Sequence, residues 1–225
     1  MWAIVPLKTF SEAKQRLAAV LSEEERRSLM LAMARDVLGA LCQCRQLTGV
    51  LIASRTQEAD ALAQAFNTER FSESPDADLP TTLKQASEYL TRTLKARGIM
   101  VIPADVPLIS PVDIDRILAG HDRVTLIPDA DNLGTNCLIA SPPDSIPFVF
   151  DGRSFKPHVD AAFAAGITPA VIPSRHFALD IDTADDLRAL LAQAPTTQTA
   201  TFLVKSGIAE RLRASDNDHD AGRVR

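Results

Sequence analysis

No uncharged apolar run in the chain approaches the roughly 18 residues needed to cross a bilayer. The opening "MWAIVPLKTF" meets Lys8 too early, and with the wrong flanks, for a secretory leader. A cytoplasmic protein with no membrane contact is therefore expected. The positive charge of a nucleic-acid binder is also missing: the formal net charge is -5 and the pI near 5.4, which leaves small molecules as the expected partners and allows at most a local basic pocket. Cysteine is scarce and odd in number, as Cys42, Cys44 and Cys137. The "CQC" pair falls late in a stretch of helical period, where residues two apart point in different directions, so buried, reduced thiols are expected rather than metal ligands. There is no G-x-x-x-x-G-K-[ST] segment, which argues against a P-loop kinase or ATPase. Internal repeats and Gly/Ser linkers are absent too, and the 14 prolines scatter at element ends, so no domain boundary is marked.

What is present is an alternation of short apolar runs with helical segments. Strands are expected at "WAIVPL", "TGVLIAS" (Thr48 to Ser54), "GIMVIPAD" (Gly98 to Asp105) and "RVTLIPD" (Arg123 to Asp129), with "TNCLIAS", "TPAVIPS" and "FALDID" adding three more. The best-marked helix begins at Ser22, where Ser22 and Glu25 form a capping box and Leu29, Met33, Val37 and Leu41 line one apolar face. Further helices are expected over Thr56 to Phe66, Thr81 to Lys95, Pro111 to Leu118, His158 to Ala165 and Thr183 to Ala192. The runs near Leu51 and Val101 are nearly all apolar, as strands are when helices cover both faces of a sheet. The pattern predicts an α/β fold with a mostly parallel sheet. Residues 1–213 read as a single domain, and the polar, aperiodic "ASDNDHDAGRVR" over 214–225 as a disordered tail.

Ligands of open α/β sheets bind beyond the carboxyl ends of the strands. The polar residues that follow the apolar runs are Lys8, Asp105, Asp129, Asp180 and Asp182. If "FALDID" is a strand, Asp180 and Asp182 share a face while Ile181 points into the core. Two carboxylates so placed repel unless a cation lies between them, and a hard cation, Mg2+ or Mn2+, suits oxygen ligands. The blander alternative makes this turn a helix cap, with Thr183 and Asp186 as a capping box; Asp182 alone fits either role, but the pair together with Asp105 favours metal. Asp185 and Asp186 fall in a first helical turn, where negative charge is favourable anyway.

The segment "PLKTFSEAKQRL" carries Lys8, Lys14 and Arg16, which suit phosphate beside a metal site, although alone they would mark a solvated helix face. Two later segments resemble ligand loops: "DADNLGTNCLIAS", with Gly134, Thr135 and Asn136, and "FDGRSFKPH", with Gly152, Arg153, Ser154, Lys156 and His158. Glycine lets backbone N–H groups approach an anion. In isolation each is only a polar loop, and His158 a packed or capping histidine.

Together, "PLKTFSEAKQRL", "ADVPLI", "GTNCL", "SFKPH" and "LDIDTADDL", in this order over nearly all of residues 1–190, resemble the CofC/FbiD family of phospho-acid guanylyltransferases. The resemblance implies a single-domain, GT-A-like nucleotidyltransferase fold. It implies transfer of GMP from GTP to 2-phospho-L-lactate, phosphoenolpyruvate or 3-phospho-D-glycerate, with release of pyrophosphate, in making the deazaflavin coenzyme F-420. On that resemblance Asp105, Asp180 and Asp182 bind metal, Lys8, Lys14 and Arg16 are the basic first-loop positions, and Thr135 and Ser154 bind the acceptor, with Asn136, Gly152 and His158 as further substrate contacts. One departure is "FDGRSF", where Asp151 stands at a position commonly Gly; an altered loop inclines the expected acceptor toward 3-phospho-D-glycerate. Another GT-A-like enzyme with a sugar or molybdopterin acceptor, or a non-catalytic nucleotide-binding protein, are the alternatives; against the first stands the missing Gly-rich signature after strand one. A homodimer is left open.

Overall fold

Strand β1 (Trp2–Pro6) lies mid-sheet because its side chains alternate between two apolar environments. Ala3 and Val5 join the core on one face and Ile4 joins the core on the other, all three without solvent exposure. The same double burial holds for β2 (Gly49–Ser54), β4 (Ile99–Val101), β5 (Val124–Pro128) and β6 (Thr135–Ala140), whose residues are buried almost throughout. Short edge strands β3 (Glu69–Ser72) and β7 (Ala170–Val171) complete a seven-stranded sheet of order β3-β2-β1-β4-β6-β5-β7. All neighbours pair in parallel except around β6, which runs antiparallel to both β4 and β5, placing Leu138 opposite Val101 and Leu126. The structure, a computed structural model, describes residues 1–8, 14–193 and 196–221.

Helices α1 (Glu23–Cys42), α2 (Gln57–Phe66), α4 (Pro111–Ala119), α7 (Ala184–Ala192), α8 (Gln198–Lys205) and α9 (Ile208–Ala221) pack on one face of the sheet. Helices α3 (Leu79–Thr93) and α5 (Phe155–Ala164) cover the other. The expected α/β layering with a mostly parallel, mixed sheet is what the chain adopts. Ser22 and Glu25 form the anticipated capping box, and Thr183 and Asp186 form a second one at α7.

Four expectations change. "FALDID" is not a strand: Arg175–Ala178 is a single helical turn, α6, held by the Ser174 carbonyl accepting from Phe177 and Ala178, and residues 179–182 pair with no strand. Strand β3 escapes the apolar-run criterion because, at the sheet edge, its "ERFS" stays half-exposed. The backbone of α9 is helical to Ala221, inside the stretch expected as a tail; residues 222–225 and positions 9–13 of the first loop lie outside the described residues. Cys44 and Cys137 are buried free thiols, Cys44 pushed up to about 12 by burial, but Cys42 at the end of α1 is exposed.

Candidate active site

The site forms at the edge where β1, β4 and β5 end. Lys8 follows β1 and Asp105 follows β4. Because β6 is reversed, its first residues, Thr135 and Asn136, arrive at that same edge. The segment after α6 is fixed there by one backbone bond: Ile181 N–H donates to the Asp105 carbonyl at 3.0 Å, with the Ile181 side chain fully buried. Asp180 and Asp182 flank this anchor and line the cleft. The inward Ile181 and outward carboxylates expected of a strand are thus obtained from an irregular segment.

Lys14 sits between two of the acids. Its Nζ lies 2.6 Å from Asp105 Oδ2 and 2.6 Å from Asp182 Oδ1, and its side chain is only 5% exposed. Burial alone would depress the Lys14 pKa, but the two carboxylates more than offset it and hold it above its ordinary value. The residue reaches this position from a left-handed backbone (φ 57, ψ 43) at the start of the short 3-10 turn Gln15–Leu17. A non-glycine residue there costs on the order of 1 kcal/mol, which the two charge-assisted bonds offset. Arg16 reaches Asp182 only at 3.9 Å and is 74% exposed. Asp180 accepts from Asn136 Nδ2 at 3.0 Å, and its pKa is raised, mainly by burial, with the Asp105 and Asp182 charges adding to the effect.

Among the described residues, no group of three or more His, Cys, Asp or Glu side chains converges closely enough to hold a metal ion, so the expected three-aspartate set is not preassembled; an ammonium holds Asp105 and Asp182 together instead. The donor chemistry nonetheless fits a hard cation. Asp105 Oδ1 is buried without a hydrogen-bond partner, and all three groups present carboxylate oxygen. Asp182 is released from capping, since Asp186 accepts the N–H groups of both Asp182 and Thr183.

The second wall is built on His158. Its Nε2 accepts the Val149 N–H at 2.9 Å, so the neutral ring carries its proton on Nδ1 and donates to Thr135 Oγ1, also at 2.9 Å. Burial lowers the His158 pKa to about 4, and the ring is fully buried. Both nitrogens are engaged inside the protein, so the ring has neither free for the direct substrate contact expected of His158. Ser154 Oγ accepts from Thr135 N–H at 3.0 Å and ties the second loop to β6. Gly152 has φ +88, a left-handed conformation that favours glycine, and opens onto the cleft. Asp129 accepts the N–H groups of Leu133 and Gly134, closing the turn before β6; a Cβ on Gly134 would lie 2.8 Å from Asp129 Oδ2.

Two cavities meet at this wall. One, of about 530 Å3, is lined by Asp105, Asp180, Asp182, Thr135, Asn136, Gly152, Ser154 and Arg16. The other, of about 660 Å3, lies toward β2 and α3 and is lined by Arg55, Glu73, Asp78 and Asp151. Lys8, Leu79 and Phe150 border both. The strand-end rule applied to β2 points to Arg55, which the sequence reading passed over; its Nε bonds Glu73 Oε1 at 2.9 Å. Asp151 was expected to reshape the acceptor loop, but it faces the larger cavity.

An α/β sheet with one reversed strand, carrying carboxylates and lysines at its carboxyl edge beside two adjoining cavities, has the fold of nucleotidyltransferases of known structure. Solved structures agree on the fold. A nucleotidyl transferase from Methanothermobacter matches with a TM-score of 0.63 at 15% identity, covering 85% of this chain and 96% of that one. A Desulfovibrio desulfuricans G20 protein assigned to the nucleotide-diphospho-sugar transferases matches with a TM-score of 0.72 at 18% identity, covering 94% and 97%. The family described as "Guanylyl transferase CofC like" spans residues 1–221, and the chain belongs to it. Similar relatives are a phosphoenolpyruvate guanylyltransferase of Roseiflexus castenholzii, 36% identical over 205 residues (91% of this chain, 94% of the relative), and a 2-phospho-L-lactate guanylyltransferase of Methanobrevibacter smithii, 32% identical over 206 residues (90% and 89%). Among the described residues, no helix is long and apolar enough to cross a membrane.

Proposed function

We propose that the protein joins GMP from GTP to the phosphate of a three-carbon phospho-acid and releases pyrophosphate, as a step toward a deazaflavin coenzyme. The observation that carries this reading is the seam between the two cavities, where Lys8 borders both and Lys14 is held by Asp105 and Asp182. The larger cavity suits the nucleoside and the smaller one the phospho-acid, whose polar groups would meet Thr135, Asn136, Gly152 and Ser154. An oxygen of the acceptor phosphate forms a bond to the α-phosphorus of GTP, the bond to the β-phosphate oxygen breaks, and pyrophosphate leaves with that electron pair. A phosphate anion is already a nucleophile, which fits a site whose wall histidine, His158, is buried and neutral.

Asp105, Asp180 and Asp182 would hold Mg2+ or Mn2+, which supplies charge neutralisation between two polyanions. Lys8 and Lys14 add positive charge, and Thr135 presents a hydroxyl whose orientation His158 sets. The test is pyrophosphate release from GTP, with mass spectrometry of the product, against 2-phospho-L-lactate, phosphoenolpyruvate and 3-phospho-D-glycerate. A guanylylated product with at least one acceptor is expected. Release with none of them, under Mg2+ or Mn2+, would overturn the reading.

A further inference from the structure

The Lys14 ammonium stands where a cation between Asp105 and Asp182 would be expected, 2.6 Å from each carboxylate and with 5% of its side chain exposed. The geometry points to an internal counter-ion: Lys14 competes with the divalent cation for Asp105 and Asp182, and a polyphosphate chain releases the site by drawing the ammonium onto itself. This rests on the reading of the cleft as a nucleotide site.

Three observations carry it. Both bonds of the ammonium go to carboxylates that the cation would need, so the two positive charges cannot share those oxygens without repelling. The remaining buried oxygen, Asp105 Oδ1, has no partner, and a cation drawn to it would sit on the same carboxylate as the ammonium and be repelled by it. Free volume for the exchange adjoins the residue: a cavity of about 370 Å3 is lined by Lys14, Lys8, Pro103, Asp105 and Asp182, and Lys8 also borders the larger cavity. The left-handed backbone at Lys14 fits a residue held in place by its side chain's partners rather than by helix or sheet. The site would then load cation and nucleotide together, and the metal-free carboxylates would not be left unbalanced.

The probe is Mn2+ alone, titrated without nucleotide and followed by electron paramagnetic resonance, on the wild-type protein and on Lys14→Gln, Lys14→Met and Lys14→Arg. The neutral variants should bind Mn2+ about ten-fold or more tightly than wild type, because the competing charge is gone, and Lys14→Arg should not. Mn2+ should also raise the melting temperature of Lys14→Gln more than that of wild type. Should the neutral variants fail to fold, the Lys14 13Cε resonance of the wild-type protein decides the matter. It should move on adding Mg2+ with inorganic tripolyphosphate and stay near its starting position with Mg2+ at low concentration. Neutral variants with unchanged or weaker Mn2+ affinity, or a resonance indifferent to tripolyphosphate, would overturn the counter-ion role. The two readings fail separately: no GMP transfer to any phospho-acid alongside tightened Mn2+ binding sinks the functional proposal alone, whereas normal transfer with unchanged Mn2+ affinity sinks only this one.

Discussion

The backbone N–H of Asp182 donates to the Asp186 carboxylate at 3.0 Å, while the Asp182 carboxylate turns the other way to Lys14 at 2.6 Å. Two neighbouring acids of the same turn therefore have separate duties. Asp182→Asn should cut turnover by orders of magnitude with little change in melting, since it removes charge from the site at nearly constant size. Asp186→Asn should leave turnover close to normal but cost about 1 kcal/mol through the weakened capping box, roughly 2–4 °C in Tm. Parallel assays of turnover and melting check the division; equal losses of activity would show that the two acids act as one unit.

Lys8 borders both cavities and is exposed, so its charge is open to a ligand in either and takes no part in the core. Two uncompensated negative charges about 4 Å apart cost on the order of 4 kcal/mol at an effective dielectric of 20. Lys8→Ala should accordingly lower kcat/KM by about one to three powers of ten, or roughly 1.4 to 4 kcal/mol of transition-state stabilisation, with an unchanged Tm. Lys8→Arg should recover part of the loss, because a planar fork does not reproduce a compact ammonium. Normal turnover by Lys8→Ala would return this residue to the solvated surface.

Asp151 lines the larger cavity with Lys8, Arg55 and Asp78, whereas Gly152 and Ser154 line the smaller one. Asp151→Ala should therefore alter the KM for GTP, or the preference among nucleoside triphosphates, more than the ratio of kcat/KM values among phospho-acids. Measuring both ratios on one preparation separates the effects; a change confined to the acceptor ratio would assign Asp151 to the acceptor loop after all.

His158 gives stability a pH dependence. Its folded pKa, about 4, lies below the ordinary 6.5, because burial disfavours the charged ring. Between these values the unfolded chain binds a proton that the folded chain refuses, so stability falls as pH drops through the window and levels off below it. At about 1.4 kcal/mol per unit over the roughly 2.5 units between these values, the full loss is on the order of 3 kcal/mol. Urea unfolding from pH 7 to 4.5 should show it, and His158→Gln should show a smaller slope; His121, also lowered by burial, leaves a residual trend of the same sign. Equal slopes in the two proteins would mean that His158 titrates freely.

The strands with continuous apolar runs were legible in the sequence because both of their faces are covered, as at Ile4 and Leu51. The capping boxes at Ser22 and Thr183 were legible because their chemistry is local. Strand β3 was not, since an edge strand needs no apolar alternation, and the turn at Phe177 imitates a strand by composition while its hydrogen bonds are helical. At the cleft, the strand-end rule pointed to Lys8 and Asp105, which do follow strands, and reached the Asp180/Asp182 pair through a segment that is not a strand. It did not find the tie between Lys14 and two carboxylates, one 91 and the other 168 positions away, because that contact follows from the three-dimensional path of the chain alone. Nor did it separate His158 from Thr135: both are buried, and only the two bonds of the ring, to Thr135 and to Val149, mark it as internal support.

The knot of Thr135, Ser154 and His158 holds its loop from the inside, while Asp151, Gly152 and Arg153 sit outside it and are exposed. The hydrogen bonds that anchor this loop therefore leave the side chains at 151 and 153 uncommitted to the core. A library that randomises 151 and 153 while sparing Gly152 and the three buried members should therefore keep a folded scaffold while changing the chemistry of the loop's exposed face.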